Sequence, residues 1–221
     1  PTAVGTVLIT VTATDGWLTN RETFLLTIQN VVPPTSLIPR SATWKYYDQN
    51  VDLGASWRSN AFSDATWSSG AARLGYGGDG EVTQVVSNRA RITTYFRRTF
   101  ELTNPAAFQS LALSYQRDDG IVVYLNGAEV WRENMPAVTI GYQTLASTNV
   151  SGADETRWLS ATVSPAALIA GPNLVAVEVH QQNNNSSDLG FNLELFGVSV
   201  GSNPGSLICA FDSGGTLRAL C

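Results

Sequence analysis

Residues 117–127 read RDDGIVVYLNG, and this stretch decides the fold class. Ile121, Val123 and Leu125 alternate with Val122 and Tyr124, the two-residue period of a strand half buried on a core. Asn126-Gly127 supplies the pair that tolerates positive φ in a two-residue hairpin turn. The spacing predicts a strand over 121–126, with Asp118 and Asp119 just outside the sheet at a loop edge. Adjacent carboxylates repel each other, so this pair is a candidate site for a hard cation, an arginine or sugar hydroxyls. The competing reading is an acidic turn lying in water, since turns commonly recruit aspartate.

Outward from this stretch, residues 36–200 keep one texture: short alternating strands separated by clusters of Gly, Asn, Asp, Ser and Pro. The clearest strands are TTYFRRTFEL (93–102), SLALSYQ (110–116), IVVYLN (121–126), NLVAVEVHQ (173–181) and FNLELFGVSV (191–200). Two helical turns, NPAAF (104–108) and SPAAL (164–168), each place a capping residue before a proline at the first helical position. No longer helical period and no repeat is present, which argues against solenoids and propellers. The expected fold is an all-β antiparallel β-sandwich over residues 38–200.

The flanks differ. Residues 6–14 and 23–31 are two alternating strands around Asp15-Gly16, and a lone hairpin is marginal in water, so 1–31 reads as the end of an upstream domain. Residues 32–37 hold Pro33-Pro34 and read as a stiff connector. Residues 201–221, rich in Gly and Ser, read as a flexible linker or remnant in which a Cys209–Cys221 disulfide is one possibility. Without a Cys-x-x-Cys pair, and with one histidine, a structural zinc site has no basis.

Composition bounds the partners. With 221 residues, 43% of them hydrophobic, the chain can bury a full core. The excess of 18 acidic over 13 basic residues leaves no basic face for nucleic acid. No apolar run has the length of a membrane span, and PTAVGTVLIT lacks a signal-peptide pattern, so the chain reads as a piece of something longer.

A family resemblance rests on TWKYYD (43–48), SWRSNAFSDATW (56–67), RLGYGGDGE (73–81), TTYFRRTFEL (93–102), RDDGIVVYLNGAEVWRENM (117–135), NLVAVEVHQ (173–181) and FNLELFG (191–197). Together they resemble the galactose-binding-like jelly-roll modules of secreted bacterial multidomain proteins, and the sugar-binding β-sandwich of family 2 glycoside hydrolases. The resemblance implies a noncatalytic module that binds a polysaccharide or other glycan, works outside the cell or at its surface, and sits among the neighbouring domains of a longer chain. Asp118-Asp119-Gly120 is similar to the Asp-Asp-Gly stretch of PA14-type lectin domains. That similarity implies calcium held by Asp118 and Asp119, with carbonyls or Asp79, Glu81, Asp154 or Glu155 completing the shell. Residues 11–31, VTATDGWLTNRETFLLTIQNV, resemble the last two strands of cadherin-like or immunoglobulin-like repeats.

Carbohydrate binding asks for an aromatic plane and for planar polar side chains near loops. Trp131 follows the Asn-Gly hairpin, Trp158 follows Asp154-Glu155, and Tyr76 lies in the glycine-rich run 75–80. His180-Gln181 lead into the polar run 183–188, where Asn184 and Asn185 are acceptor sequences for N-glycosylation. Arg117 offers a fork for Asp119 or for two sugar hydroxyls. Trp44, Trp57 and Trp67 are assigned to the core, whereas Trp131 and Trp158 fit either role. Two enzymatic readings compete. Gly197-Val198-Ser199-Val200-Gly201 fits a nucleophile-elbow pattern, but Ser199 falls inside a strand with no helix after it. Glu178 and Glu194 both fall out of phase with the apolar sets and could share one polar face as a glycosidase pair. The remaining alternative is a structural spacer or adhesion domain whose loops contact neighbouring domains and no glycan, a reading that burial of both Trp131 and Trp158 favours.

Overall fold

The computed structural model describes residues 5–28, 32–88, 90–199, 208–211 and 217–220. Thr35–Val198 forms one compact unit, and the flanking segments are assigned to a second.

Strand β1 (Gly5–Thr14) pairs antiparallel with β2 (Thr19–Ile28). The second strand starts at Thr19 and not at residue 23, because Asp15 Oδ1 accepts the amides of Trp17 (2.9 Å) and Leu18 (2.7 Å) and closes a tight turn. Residues 29–31 of the expected strand lie outside the described residues.

The sandwich comprises β3 (Thr35–Ile38), β4 (Thr43–Tyr47), β5 (Ser68–Ala71), β6 (Leu74–Tyr76), β7 (Thr83–Gln84), β8 (Thr93–Leu102), β9 (Phe108–Asp118), β10 (Gly120–Leu125), β11 (Ala128–Glu133), β12 (Leu159–Val163), β13 (Gly171–His180) and β14 (Leu189–Ser199). The first sheet has the order β11-β10-β13-β8-β4-β5, and the second has β12-β9-β14-β6-β7 with β3 also on β14. Within them the β6–β7 pair is parallel, a departure from the all-antiparallel expectation. Because β3 begins at Thr35, residues 35–37 of the expected connector belong to the second sheet. Beyond the sandwich, β15 (Ile208–Phe211) pairs antiparallel with β16 (Leu217–Leu220), so part of the segment expected to be a flexible linker is a hairpin. Cys221 lies outside the described residues.

Alternation along the strands fills the space between the sheets. Leu111, Leu113 and Tyr115, Ile121, Val123 and Leu125, Val175, Val177 and Val179, and Phe191, Leu193 and Leu195 share one core with Trp44 and Phe96. Phe96 stacks on Phe191 with ring centroids 4.2 Å apart, which locks β8 of one sheet against β14 of the other. At the hairpin, Asn126 and Gly127 take φ of 51° and 88°, as the turn chemistry requires. Asn126 also accepts the Leu174 amide (2.8 Å) and donates to the Ala167 carbonyl (2.7 Å), tying the turn to β13. Residues 105–107 form a helical turn as expected, whereas 164–168 is a plain turn closed by the Leu168 amide on the Pro165 carbonyl (2.9 Å).

One expectation about β10 is corrected. Val122 and Tyr124 do not face water; they lie in a second apolar layer with Trp57, Trp67, Tyr95, Ile140 and Tyr142 over the outer face of the first sheet. Trp44, Trp57 and Trp67 are buried, as assigned. Arg97 holds the overlying segment down: its Nε donates to Asp64 Oδ2 (2.9 Å), and its other N–H groups donate to the carbonyls of Trp57, Ser59 and Phe62. Arg97→Ala leaves that carboxylate and those carbonyls short of a donor, so it is expected to cost about 3 kcal/mol. Guanidinium unfolding measures it, and a loss below about 1 kcal/mol would show that the layer closes without Arg97.

Candidate functional site

Most of the residues singled out from the sequence are buried, each for a traceable reason. Asp118 ends β9 and Asp119 links it to β10, and both are 1% exposed, so the pair is not a loop-edge feature. The oxygens of Asp119 accept the amides of Val150 (2.6 Å) and Gln182 (2.8 Å), a structural role that pins two loops to the sheet. Asp118 is different: both of its oxygens are buried without a hydrogen-bond partner. The Arg117 fork is taken by Glu133, with Nη2 to Oε1 at 2.9 Å, and so it does not bridge Asp119; the pair lines a separate pocket with Asn149, Asp154 and Arg157. Tyr76 is a core residue of β6 and not a loop aromatic.

His180 is fully buried, with Nδ1 2.7 Å from the Thr144 carbonyl oxygen and 3.1 Å from Thr93 Oγ1. Gln181, also buried, donates to the Asp188 carbonyl (2.7 Å). Trp131 is half-buried, packs on the core and donates to Tyr115 Oη (2.9 Å). Glu178 and Glu194 sit on different sheets, which counts against the rival reading of them as a glycosidase pair. Burial works against the charged form of Glu178, but His180, Tyr124 and Arg58 outweigh it and hold its pKa below the usual range. Glu194 is clamped by Arg40 at 3.1 and 2.5 Å.

Asp118 belongs to a constellation that alternation along β9 explains. Leu111, Leu113 and Tyr115 point into the core, so Gln116 and Asp118 lie on the outer face of the second sheet. At that end Asp79, Glu155 and Asp188 present carboxylate oxygens within 4.8 Å of one another. Burial, then the charges of Asp119, Asp188 and Glu155, push the Asp118 carboxyl up to about 9. Burial and the charges of Asp79 and Asp188 raise Glu155 as well. Two oxygen ligands of one calcium ion lie at most about 4.6 to 5.2 Å apart, so three oxygens within 4.8 Å of one another can share a hard divalent cation. The unpartnered Oε1 of Gln181 is a further buried oxygen, on a side chain hydrogen-bonded to the Asp188 backbone.

Beside the acidic cluster the outer face opens into a depression of about 410 Å³. Trp158, Val82 and Ala72 give it apolar wall, and Arg73, Gln116, Asn192 and Asp79 give it polar lining. Arg40 stacks 3.8 Å from the centre of the Trp158 ring and, held by Glu194, fixes the indole's orientation. Two lining residues carry buried polar atoms without a partner: Nε and Nη2 of Arg73 are donors, and Oδ1 of Asn192 is an acceptor. Arg40, Arg73, Gln116 and Asn192 were not singled out from the sequence. Strand alternation places Gln116 and Asn192 on the outer face, but only the folded structure brings Arg73 and Arg40 beside them.

No protein-family model matches the chain, and no curated protein does. Solved structures do match. The chain is similar to part of β-glucuronidase 2 of Bacteroides uniformis, with TM-score 0.50, 16% identity, and coverage of 76% of this chain and 18% of that one. It also matches a β-glucuronidase from glycoside hydrolase family 2, with TM-score 0.48, 13% identity and coverage of 78% and 18%. The first likeness shows the fold, an all-β sandwich like one found within a much larger glycosidase. The chain spans less than a fifth of either protein's length.

The raised pKa of Asp118 has a consequence for stability. Its folded-state value lies far above that of the unfolded chain, so its contribution is complete at acid pH and is lost as pH rises through about 9. In chelator, Asp118→Asn is therefore expected to gain in melting temperature relative to the parent as pH goes from about 5 to about 9. A parent-to-variant difference that stays flat across this range would show that Asp118 is not a buried acid of this kind.

Proposed function

We propose that residues 35–198 are a noncatalytic carbohydrate-binding module, accessory to a larger extracellular or cell-surface protein, which holds a stretch of polysaccharide in the Trp158 depression. The observation that carries this reading is the pairing of an indole wall with unpartnered donors on Arg73 and an unpartnered acceptor on Asn192. A sugar hydroxyl both donates and accepts, and the C–H face of a pyranose is apolar, so one ligand class meets all of these groups. The sandwich likeness to part of a β-glucuronidase supports an accessory place beside a glycosidase.

Calcium is the proposed cofactor, bound by Asp118 together with Asp79, Glu155 and Asp188. This differs from the Asp118–Asp119 pair expected from sequence, because the Asp119 oxygens are already hydrogen-bonded to backbone amides. The four carboxylates supply only oxygen, the donor that calcium prefers, and the buried Asp118 oxygens lack any other partner.

Affinity electrophoresis through gels containing neutral or uronate-bearing polysaccharides, with calcium chloride present, tests the glycan reading. Trp158→Ala is expected to weaken retention by about 1 to 3 kcal/mol, the scale of aromatic stacking on a ring ligand, with little effect on melting. Trp131→Ala, by contrast, is expected to lower the melting temperature. Retention by no polysaccharide, or retention that Trp158→Ala leaves intact, would move the module to a spacer role or move the site elsewhere.

A further inference from the structure

Asp118 and the three clustered acids come from two kinds of place. Asp118 ends β9, and Asp188 immediately precedes β14, so both are carried by the second sheet. Asp79 lies in the connection between β6 and β7, and Glu155 lies in the turn before β12. These two segments are also walls of the Trp158 depression: Asp79, Gly80 and Val82 line it from one, Thr156 and Trp158 from the other.

The contacts around the acids join the two walls. Arg73 donates from Nη1 to the Glu155 carbonyl (2.9 Å) while its own carbonyl accepts the Val82 amide (2.9 Å), so one residue touches both segments. The Glu155 carboxylate accepts the Gly152 amide (2.8 Å), which binds its position to the shape of its turn. At residue 77 the φ is +133°, and a Cβ there would lie 2.5 Å from Asp188 Cβ, so the chain can pass this close to Asp188 only as glycine. Like charges this close repel, and Asp188 is anchored through the sheet, so repulsion among the three clustered acids acts to displace Asp79 and Glu155. A divalent cation reverses the sign of that force.

We infer that a calcium ion in this cluster acts as a clasp on both walls of the Trp158 depression, setting the pocket's shape from behind without touching the sugar. The inference rests on the proposed assignment of that depression as the glycan site. Glycan binding then depends on calcium through the position of residues 77–82 and 152–158, not through sugar hydroxyls in the metal's coordination shell.

Amide hydrogen exchange on the full chain, in calcium chloride and in chelator, reads the clasp without any glycan. Calcium binding, followed by the rise in melting temperature, is expected to slow exchange by about tenfold in peptides covering 77–82 and 152–158, and far less in β8 or β13. Asp79→Asn and Asp118→Asn are each expected to reduce both the thermal shift and the protection, and Asp79→Asn alters a partly exposed loop residue, so folding is not at issue.

A thermal shift with unchanged exchange in those two segments overturns the clasp and leaves the glycan reading standing. No thermal shift overturns both the clasp and the cation site. Calcium-dependent protection in a protein that no polysaccharide retains upholds the clasp and removes the glycan reading. The last two outcomes separate failure of the inference from failure of the function on which it rests.

Discussion

Strand β13 lies between β10 and β8 in the first sheet and is buried on both faces from Asn173 to His180. Each of its residues is therefore committed to one of two apolar layers: Val175, Val177 and Val179 to the core between the sheets, Leu174 and Ala176 to the layer over the outer face. The polar residues caught in the second layer must find partners inside the protein. Glu178 meets Arg58 and the Tyr124 hydroxyl, and His180 meets Thr93 and the Thr144 carbonyl. With this face of the first sheet closed, the open depression with an indole wall lies on the second sheet, whose outer face carries Gln116, Asn192 and Trp158.

The second sheet thus bears both a depression and, at one end of it, a group of acids. Asp118 is placed there by the alternation of β9, and the three acids clustered near it come from segments far apart in sequence. Arg73 is the cation beside them, and its contact with the Glu155 carbonyl places it between the acidic cluster and the depression. The electrostatics of one feature and the shape of the other are therefore carried by the same few residues.

Much of the architecture was legible in the sequence because it is local. The strand at 93–102 follows from its alternation, and the turn at Asn126-Gly127 follows from the positive φ those residues accept. The site was less legible. In the sequence alone Trp158 fits a core role or a surface one, and Asp79 and Glu155 are two of several acids able to complete a calcium shell. Arg117, Tyr76, His180 and Gln181 look available in a linear reading because they adjoin strand ends or glycine runs. All four are buried: Glu133 holds the Arg117 fork, Tyr76 belongs to the core, and His180 and Gln181 hydrogen-bond to loop carbonyls.

What the sequence determined by itself is the all-β sandwich, its hairpin and the side of each strand that turns inward, because two-residue alternation and turn chemistry act over a few neighbouring residues. What only the tertiary structure decided is which outer face stays open and which carboxylates meet. Segment 48–67 folds over one sheet and not the other, held by the Arg97 contacts across more than thirty residues. Asp79, Glu155 and Asp188 come together, with Asp118 within reach of their charge, only once β6, β9, β12 and β14 occupy one sheet, and long-range pairing of that kind leaves no periodic trace along the chain.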